Sequence, residues 1–362
     1  MNGAQRARLV EAVQTNCHIA DAHHAADMTL CIYLLQMREF FRWERGLPFG
    51  AALARDAVGA WIAEREALWE TLEDRPFVPL PCTPAAPGAQ ALDPFDVAAV
   101  NAALRPAGLL YGAGLVGAGR PVFFLAEQHG QARREGIDVF SGGRELARGL
   151  LAPPAALDRS GAAPAIVLRR ESLARWCWEK YETFMLRRPP GSAFEAVVEA
   201  YGLARDFEAA LPRWIDEQGE AMVLHELGEH RAGQRLGEAW ATMRLALPTR
   251  RADLYARAVR DHLADLGVTL PALLERHAEA SIHVWFASHD GVRELLFPSL
   301  KAAYEDWRRG DDGRALRHAI AHGLAHFTAL AQQLLALQAR DGANAGTAIE
   351  ALLVSPAAVC RG

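Results

Sequence analysis

Residues 17–43, CHIADAHHAADMTLCIYLLQMREFFRW, constrain this chain more than any other stretch. Over residues 28–41 apolar side chains occur on nearly every side of a helix, and such a helix is expected at the centre of a folded body. The turns leading into it are polar, with His18, Asp21, His23, His24 and Asp27. Polar groups that run into a buried helix need partners, because an unpaired one costs roughly 1–3 kcal/mol. A metal or substrate site at that end is one way to supply them.

The chain around this stretch is punctuated by proline and glycine. Residues 4–46 read as one long helix or two stacked ones, closed by Gly46 and Pro48, and 51–72 as another. Pro76, Pro79, Pro81, Pro84, Pro87 and Pro94 preclude regular structure and mark a linker or surface loop. Asp93 or Asp96 can cap a short helix reaching Leu104. The pattern then turns to strands at 109–111, 121–125, 137–140 and 165–168. Gly112, Gly114, Gly117 and Gly119 between them suit turns and bulges, and no GxxxxGK or helix-opening GxGxxG offers a phosphate loop. Helical patterns resume at 171–186, 193–211, 215–236, 251–266, 291–308 and 316–338.

These readings give a mainly α fold: a bundle-like helical body carrying a small antiparallel β insertion, α+β overall. The expected division is 1–75 for the N-terminal helices, 76–106 for the proline-rich linker and short helix, and 107–170 for the β unit. Residues 171–362 form a helical region expected to pack with the N-terminal helices.

Composition narrows the function. Hydrophobic residues make up 51% and charged residues 23%, enough for a sizeable core. A net charge of -5 argues against a nucleic-acid binder held by a basic face. The longest run without charge, 318–339, contains three His and three Gln, so no membrane span is expected. No signal-peptide pattern opens the chain. Cys17, Cys31, Cys82, Cys177 and Cys360 are scattered and never form CxxC, which fits a reducing cytoplasm and no Cys-rich zinc site.

Histidines and carboxylates supply the candidate chemistry. In His225-Glu226-Leu227-Gly228-Glu229-His230, His225 and Glu229 are four apart and share a helix face with Met222, Ala232, Leu236 and Trp240. Glu226 and His230 form a second such pair on the flank. The string is neither HExxH nor HxxEH, and a plain structural His–Glu hydrogen bond competes with the ligand reading. His18 and Asp21, three apart, can point at one centre, and His283 within the aromatic run Ser281-Ile282-His283-Val284-Trp285-Phe286 is a further ligand candidate. Imidazole with carboxylate suits iron, manganese or zinc, and bundles build such sites from facing helices. No ExxH pair of the ferritin-like kind is present. His318, His322 and His326 form a four-apart ladder read as a stripe facing solvent or small residues.

Several strings resemble an uncharacterised bacterial protein family along most of the chain: HIADAHHAADMTLCIYLLQMREFFRWE, GRPVFFLAEQ, GRELARGLLAPPA, ESLARWCWEKYE, HELGE and SIHVWFA. The resemblance implies no reaction, cofactor or ligand set. From the residues themselves the expectation is a cytoplasmic metalloprotein acting as an oxidoreductase or hydrolase on a small molecule. His18, Asp21, His225, Glu229 and His283 would hold a divalent metal, with Glu226 as acid/base. A homo-oligomer is compatible with this reading. Two alternatives stand beside it. One is a non-catalytic helical protein that binds a partner. The other is a metal-free enzyme whose pocket is lined by Trp176, Trp178, Trp240, Trp285 and Phe286.

Overall fold

The computed structural model describes residues 1–81, 91–116, 119–159 and 163–361. Cys82, Pro84, Pro87 and Gly117, which the sequence places in a linker and a turn, lie outside the described residues. The chain divides into two compact units, Met1–Lys180 and Tyr181–Gly362. It is mainly helical with one small sheet, an α+β arrangement with a helical body. Among the described residues no helix is long and apolar enough to cross a membrane.

The first unit opens with α1 (Gly3–His24), capped by a reciprocal pair in which Asn2 and Gln5 each accept the other's backbone N–H. A 3₁₀ turn (Ala25–Asp27) separates it from α2 (Leu30–Glu44). Helices α3 (Arg55–Glu70) and α4 (Val97–Leu104) follow. The sheet comprises β1 (Leu109–Val116), β2 (Arg120–Arg134), β3 (Ile137–Arg148), β4 (Ala155–Asp158) and β5 (Ala165–Arg169), in the order β1-β2-β3-β5-β4. Three of its pairings are antiparallel, whereas β3 and β5 run parallel because the β4–β5 hairpin docks through its second strand.

Strand alternation divides the hydrophobic residues between the two sheet faces. Leu109, Tyr111, Phe123, Leu125 and Ala147 join Leu9, Val13, Cys17 and Ala20 of α1 and Val97, Val100 and Leu104 of α4 in one core. Leu110, Phe124, Ala126, Phe140 and Val167 cluster on the opposite face.

Helix α2 corrects the expectation of a helix buried on all sides. Only its second half is covered, where Met37, Phe40 and Phe41 pack with Trp61, Trp69 and Leu150. Leu30, Ile32, Leu34 and Leu35 are 70%, 51%, 46% and 51% exposed. An all-round apolar sequence permits burial on every side but cannot supply the neighbours. Of the polar residues leading into it, the buried ones, His18 and Asp21, lie in the last turns of the preceding helix α1.

Helix α5 (Arg170–Arg187) continues directly from β5. In the second unit, α6 (Ala193–Tyr201) is short and α7 (Phe207–Leu245) is long, kinked at Gly237, just after the end expected at 236. Sequence punctuation suggested segments 193–211 and 215–236. The break falls earlier, between Gly202 and the N-cap Asp206, and Pro212 is accommodated within α7. Next come α8 (Arg250–Ala264), a π-helical turn (Asp265–Thr269), α9 (Leu270–Glu275) and α10 (Glu279–Ala287). The unit ends with α11 (Gly291–Leu296), α12 (Pro298–Arg308), α13 (Arg314–Asp341) and α14 (Gly346–Leu353). Helix α8 packs on α7 and α13, and α6 on α10.

One residue sets how closely α7 and α8 approach. A Cβ on Gly228 would stand 2.5 Å from the carbonyl oxygen of Ala264, a backbone atom that cannot swing aside. Replacing Gly228 by Ala must push the helices apart. The expected loss is about 1–3 kcal/mol of unfolding free energy, measured by urea denaturation; an unchanged midpoint would refute the tight contact.

Candidate metal centre

Gly228 lies between His225 and Glu229, so the contact that it permits brings those two side chains against the last turns of α8. There, among the described residues, His225, Glu229 and Asp261 place ligand-type atoms within 4.8 Å of one another. His225 Nδ1 is 2.7 Å from Asp265 Oδ1, and its Nε2 is 3.8 Å from Glu229 Oε1. Arg260 Nη2 donates to the same Glu229 oxygen at 2.6 Å, and Arg293 Nη1 is 3.6 Å from Asp265 Oδ2. Asp265 is fully buried and opens the π-helical turn, a feature frequent at functional sites.

Burial and charge oppose each other here. Burial by itself lowers an imidazole's pKa, but the Asp265 carboxylate, helped by Glu226 and Glu229, pushes His225 up to about 10. Burial works against the Asp265 charge as well, yet His225 and Arg293 hold it down to about 2. Asp261 is raised, first by burial and then by Glu229 and Asp265, against the pull of His225. One imidazole thus sits among carboxylates that gain from a positive charge between them. The Asp265 contact occupies Nδ1 and leaves Nε2 facing Glu229; a carboxylate placed this way fixes the ring's orientation and which nitrogen is left to bind.

The other residues singled out from sequence have separate surroundings. Glu226 is half-buried beside the cluster, and its charge helps to raise the His225 pKa. His283 is in the same unit but outside the cluster. Its Nδ1 is 2.8 Å from Tyr304 Oη, its ring packs on Trp307, and burial together with Arg308 lowers its pKa to about 4. The His318, His322 and His326 ladder is partly engaged: His326 Nε2 is 3.1 Å from the Ala358 carbonyl, and His322 Nδ1 is 3.4 Å from Cys360 Sγ.

His18 and Asp21 belong to the first unit and have their own partners there. Arg65 Nη1 stands 3.0 Å from His18 Nε2, the Gln14 amide nitrogen 3.3 Å from the same atom, and the Trp69 indole nitrogen 3.4 Å from Nδ1. All three are donors, and a cation at Nε2 would have to displace a guanidinium. Burial, then Arg65, lowers the His18 pKa to about 3. Both Asp21 oxygens accept the Leu150 N–H at 3.1 Å, and burial lifts this carboxyl to about 7.

Sequence reading missed Asp261 and Asp265. Asp261 near the end of α8 and Asp265 just beyond it repeat the four-residue spacing of His225 and Glu229, and that repetition is the signal that could have found them.

Two family models match this chain. The N-terminal domain of a family of unknown function, DUF6866, matches residues 8–169, and the C-terminal domain of the same family matches residues 174–356. No curated protein and no solved structure matches.

The Asp21 carboxyl makes a prediction with a definite sign. Its folded pKa of about 7 lies above its ordinary 3.8, so its contribution is complete below pH 3.8 and is lost as pH rises through 7. His18 runs the other way: its contribution is present above pH 6.5 and is lost as pH falls toward 3. Asp21→Asn keeps an acceptor for Leu150 and cannot titrate. Its stability relative to the parent should rise by about 2–4 kcal/mol between pH 4 and pH 8, measured by urea unfolding. A pH-independent difference would contradict the assignment.

Proposed function

We propose that this chain, which belongs to the DUF6866 family of unknown function, is a metal-dependent protein that binds a divalent ion in its second unit. His225 Nε2, Glu229 and Asp261 are the proposed ligands, and Asp265 orients the imidazole. The observation that carries this reading is the convergence of three ligand-type groups from α7 and α8 within 4.8 Å. One imidazole and two carboxylates suit iron, manganese or zinc and leave positions for water and substrate. A bound ion would supply Lewis acidity or redox chemistry, as in a hydrolase or an oxidoreductase. Glu226 is the carboxylate left outside the ligand set and is proposed as the acid/base. His225 and Glu229 side chains are 28% and 16% exposed, which supports access by a small molecule. A cytoplasmic location belongs to the same proposal and rests on the scattered cysteines.

One observation favours a second reading. Arg260 already pairs with Glu229, and a protonated His225 already sits against Asp265, so charge is balanced with no ion present. The cluster would then be a structural clamp between α7 and α8.

Elemental analysis of chelator-free protein separates the two. The metal reading expects near-stoichiometric iron, manganese or zinc, and a higher melting temperature when the ion is restored to stripped protein. Metal-free protein whose melting temperature ignores all three ions supports the clamp. Two variants sharpen the test. Asp265→Asn should weaken metal affinity about 10–100-fold with the three ligands intact. Arg260→Gln should strengthen it, by freeing Glu229; under the clamp reading Arg260→Gln only destabilises.

A further inference from the structure

The first half of α2 is an apolar surface without cover. Leu30, Ile32, Leu34 and Leu35 all stand exposed on it. Large apolar side chains left in water singly are ordinary, but a contiguous group of them marks an interaction surface. Beside this patch runs an open groove of about 460 Å³, between the turn that joins α1 to α2 and the end of α3. Ala25, Met28, Leu30, Tyr33 and Trp69 give it apolar walls. Leu30 belongs to both, so patch and groove are one surface.

The charge along this surface has one sign. The groove is lined by Glu66, Glu70 and Glu73 and by no cationic side chain. Glu66 and Glu70 are four apart and share a face of α3, and Glu73 follows just after that helix ends. Glu66 accepts from Tyr33 Oη at 2.7 Å, a neutral donor that leaves the carboxylate charge in place. The backbone adds to it. Helix α3 ends at Glu70, on the groove, and its last turn carries no basic residue. A helix C-terminus is the negative end of the helix dipole, so carbonyls and carboxylates act together there.

We infer that this patch and groove are the docking site of a cationic amphipathic helix supplied by a partner protein. Its apolar stripe lies on Leu30 and Ile32, and its lysines or arginines face Glu66, Glu70 and Glu73. Charge selects this occupant. A second copy joined face to face would bring the same carboxylates to the contact, and an anionic lipid surface would be repelled by them. Every residue in this argument belongs to the first unit, so it is independent of the metal reading.

Fluorescence anisotropy of a dye-labelled synthetic helix of leucine and lysine, titrated with the full chain, tests it. The control peptide has glutamate in place of every lysine. The lysine peptide should bind at least about tenfold more tightly than the glutamate one. Leu30→Asp combined with Ile32→Asp should weaken the lysine peptide about tenfold or more. Both side chains are exposed, and aspartate suits the first turn of a helix, so α2 keeps its fold. Glu70→Lys combined with Glu73→Lys should cut the preference for lysine over glutamate to under about threefold. Reversing two exposed carboxylates of the second unit, Glu208→Lys with Glu238→Lys, should change binding by less than about twofold. Equal affinities for the two peptides, undiminished binding in either first-unit variant, or an equal loss in the second-unit variant would each overturn the inference. So would a dimer in sedimentation, or binding to phosphatidylglycerol vesicles, that Leu30→Asp with Ile32→Asp abolishes, since these give the surface to a second copy or to a membrane.

Discussion

The backbone contact between Gly228 and Ala264 is the constraint on which the second unit's chemistry depends. Only a residue without a side chain lets α7 come this near to α8. Because Gly228 sits between His225 and Glu229, the closest approach falls where these two side chains meet the end of α8. The π-helical turn starting at Asp265 lies at the same place. The imidazole is fixed at Nδ1 by a buried carboxylate, and its other nitrogen is directed at Glu229. Packing and site geometry thus have one origin.

The two units handle buried charge in opposite ways. In the second unit carboxylates crowd one imidazole and favour its protonated form. In the first, Arg148, Arg169 and Arg175 are all buried, and Glu145 is shared between two of them. Burial lowers the Arg148 pKa to about 9, with neighbouring Arg175 acting in the same direction. His18 in the first unit faces donors instead of carboxylates. An imidazole four residues from Gln14 and beside Arg65 is therefore a poor cation ligand, whatever its spacing from Asp21.

Much of the fold was legible because it depends on local pattern. The change of period at Gly108 marked the sheet, and alternating residues such as Leu109 and Leu110 were assigned by the pleat to opposite faces. Gly46 and Pro48 punctuate a real helix end. What failed were statements about neighbours. Helix α2 looked buried because it is apolar all round, yet Leu30 and Ile32 are exposed; hydrophobicity states a preference for cover and not whether cover exists. The parallel β3–β5 pairing was equally hidden, since strand order is set by which strand of a hairpin docks. In the candidate site, the helix period alone put His225 and Glu229 on one face. Asp261 and Asp265 went unnoticed because their relation to that face exists only across the α7–α8 contact.

The sequence by itself determined local quantities: where most of the helices and four of the strands run, which residues share a face, and the His225/Glu229 pair. These follow from backbone periodicity, which acts over a few residues. Only the tertiary structure decided that Asp261 joins the pair, that Asp265 aims the imidazole, and that His18, Asp21 and His283 have other partners. It also decided that Arg169 is buried against the Phe124 ring and paired with Glu145. Such facts depend on how near separate elements approach, and between α7 and α8 that distance is set by the absence of a side chain at Gly228. In a linear chain an atom that is missing leaves no mark of what will press against the space.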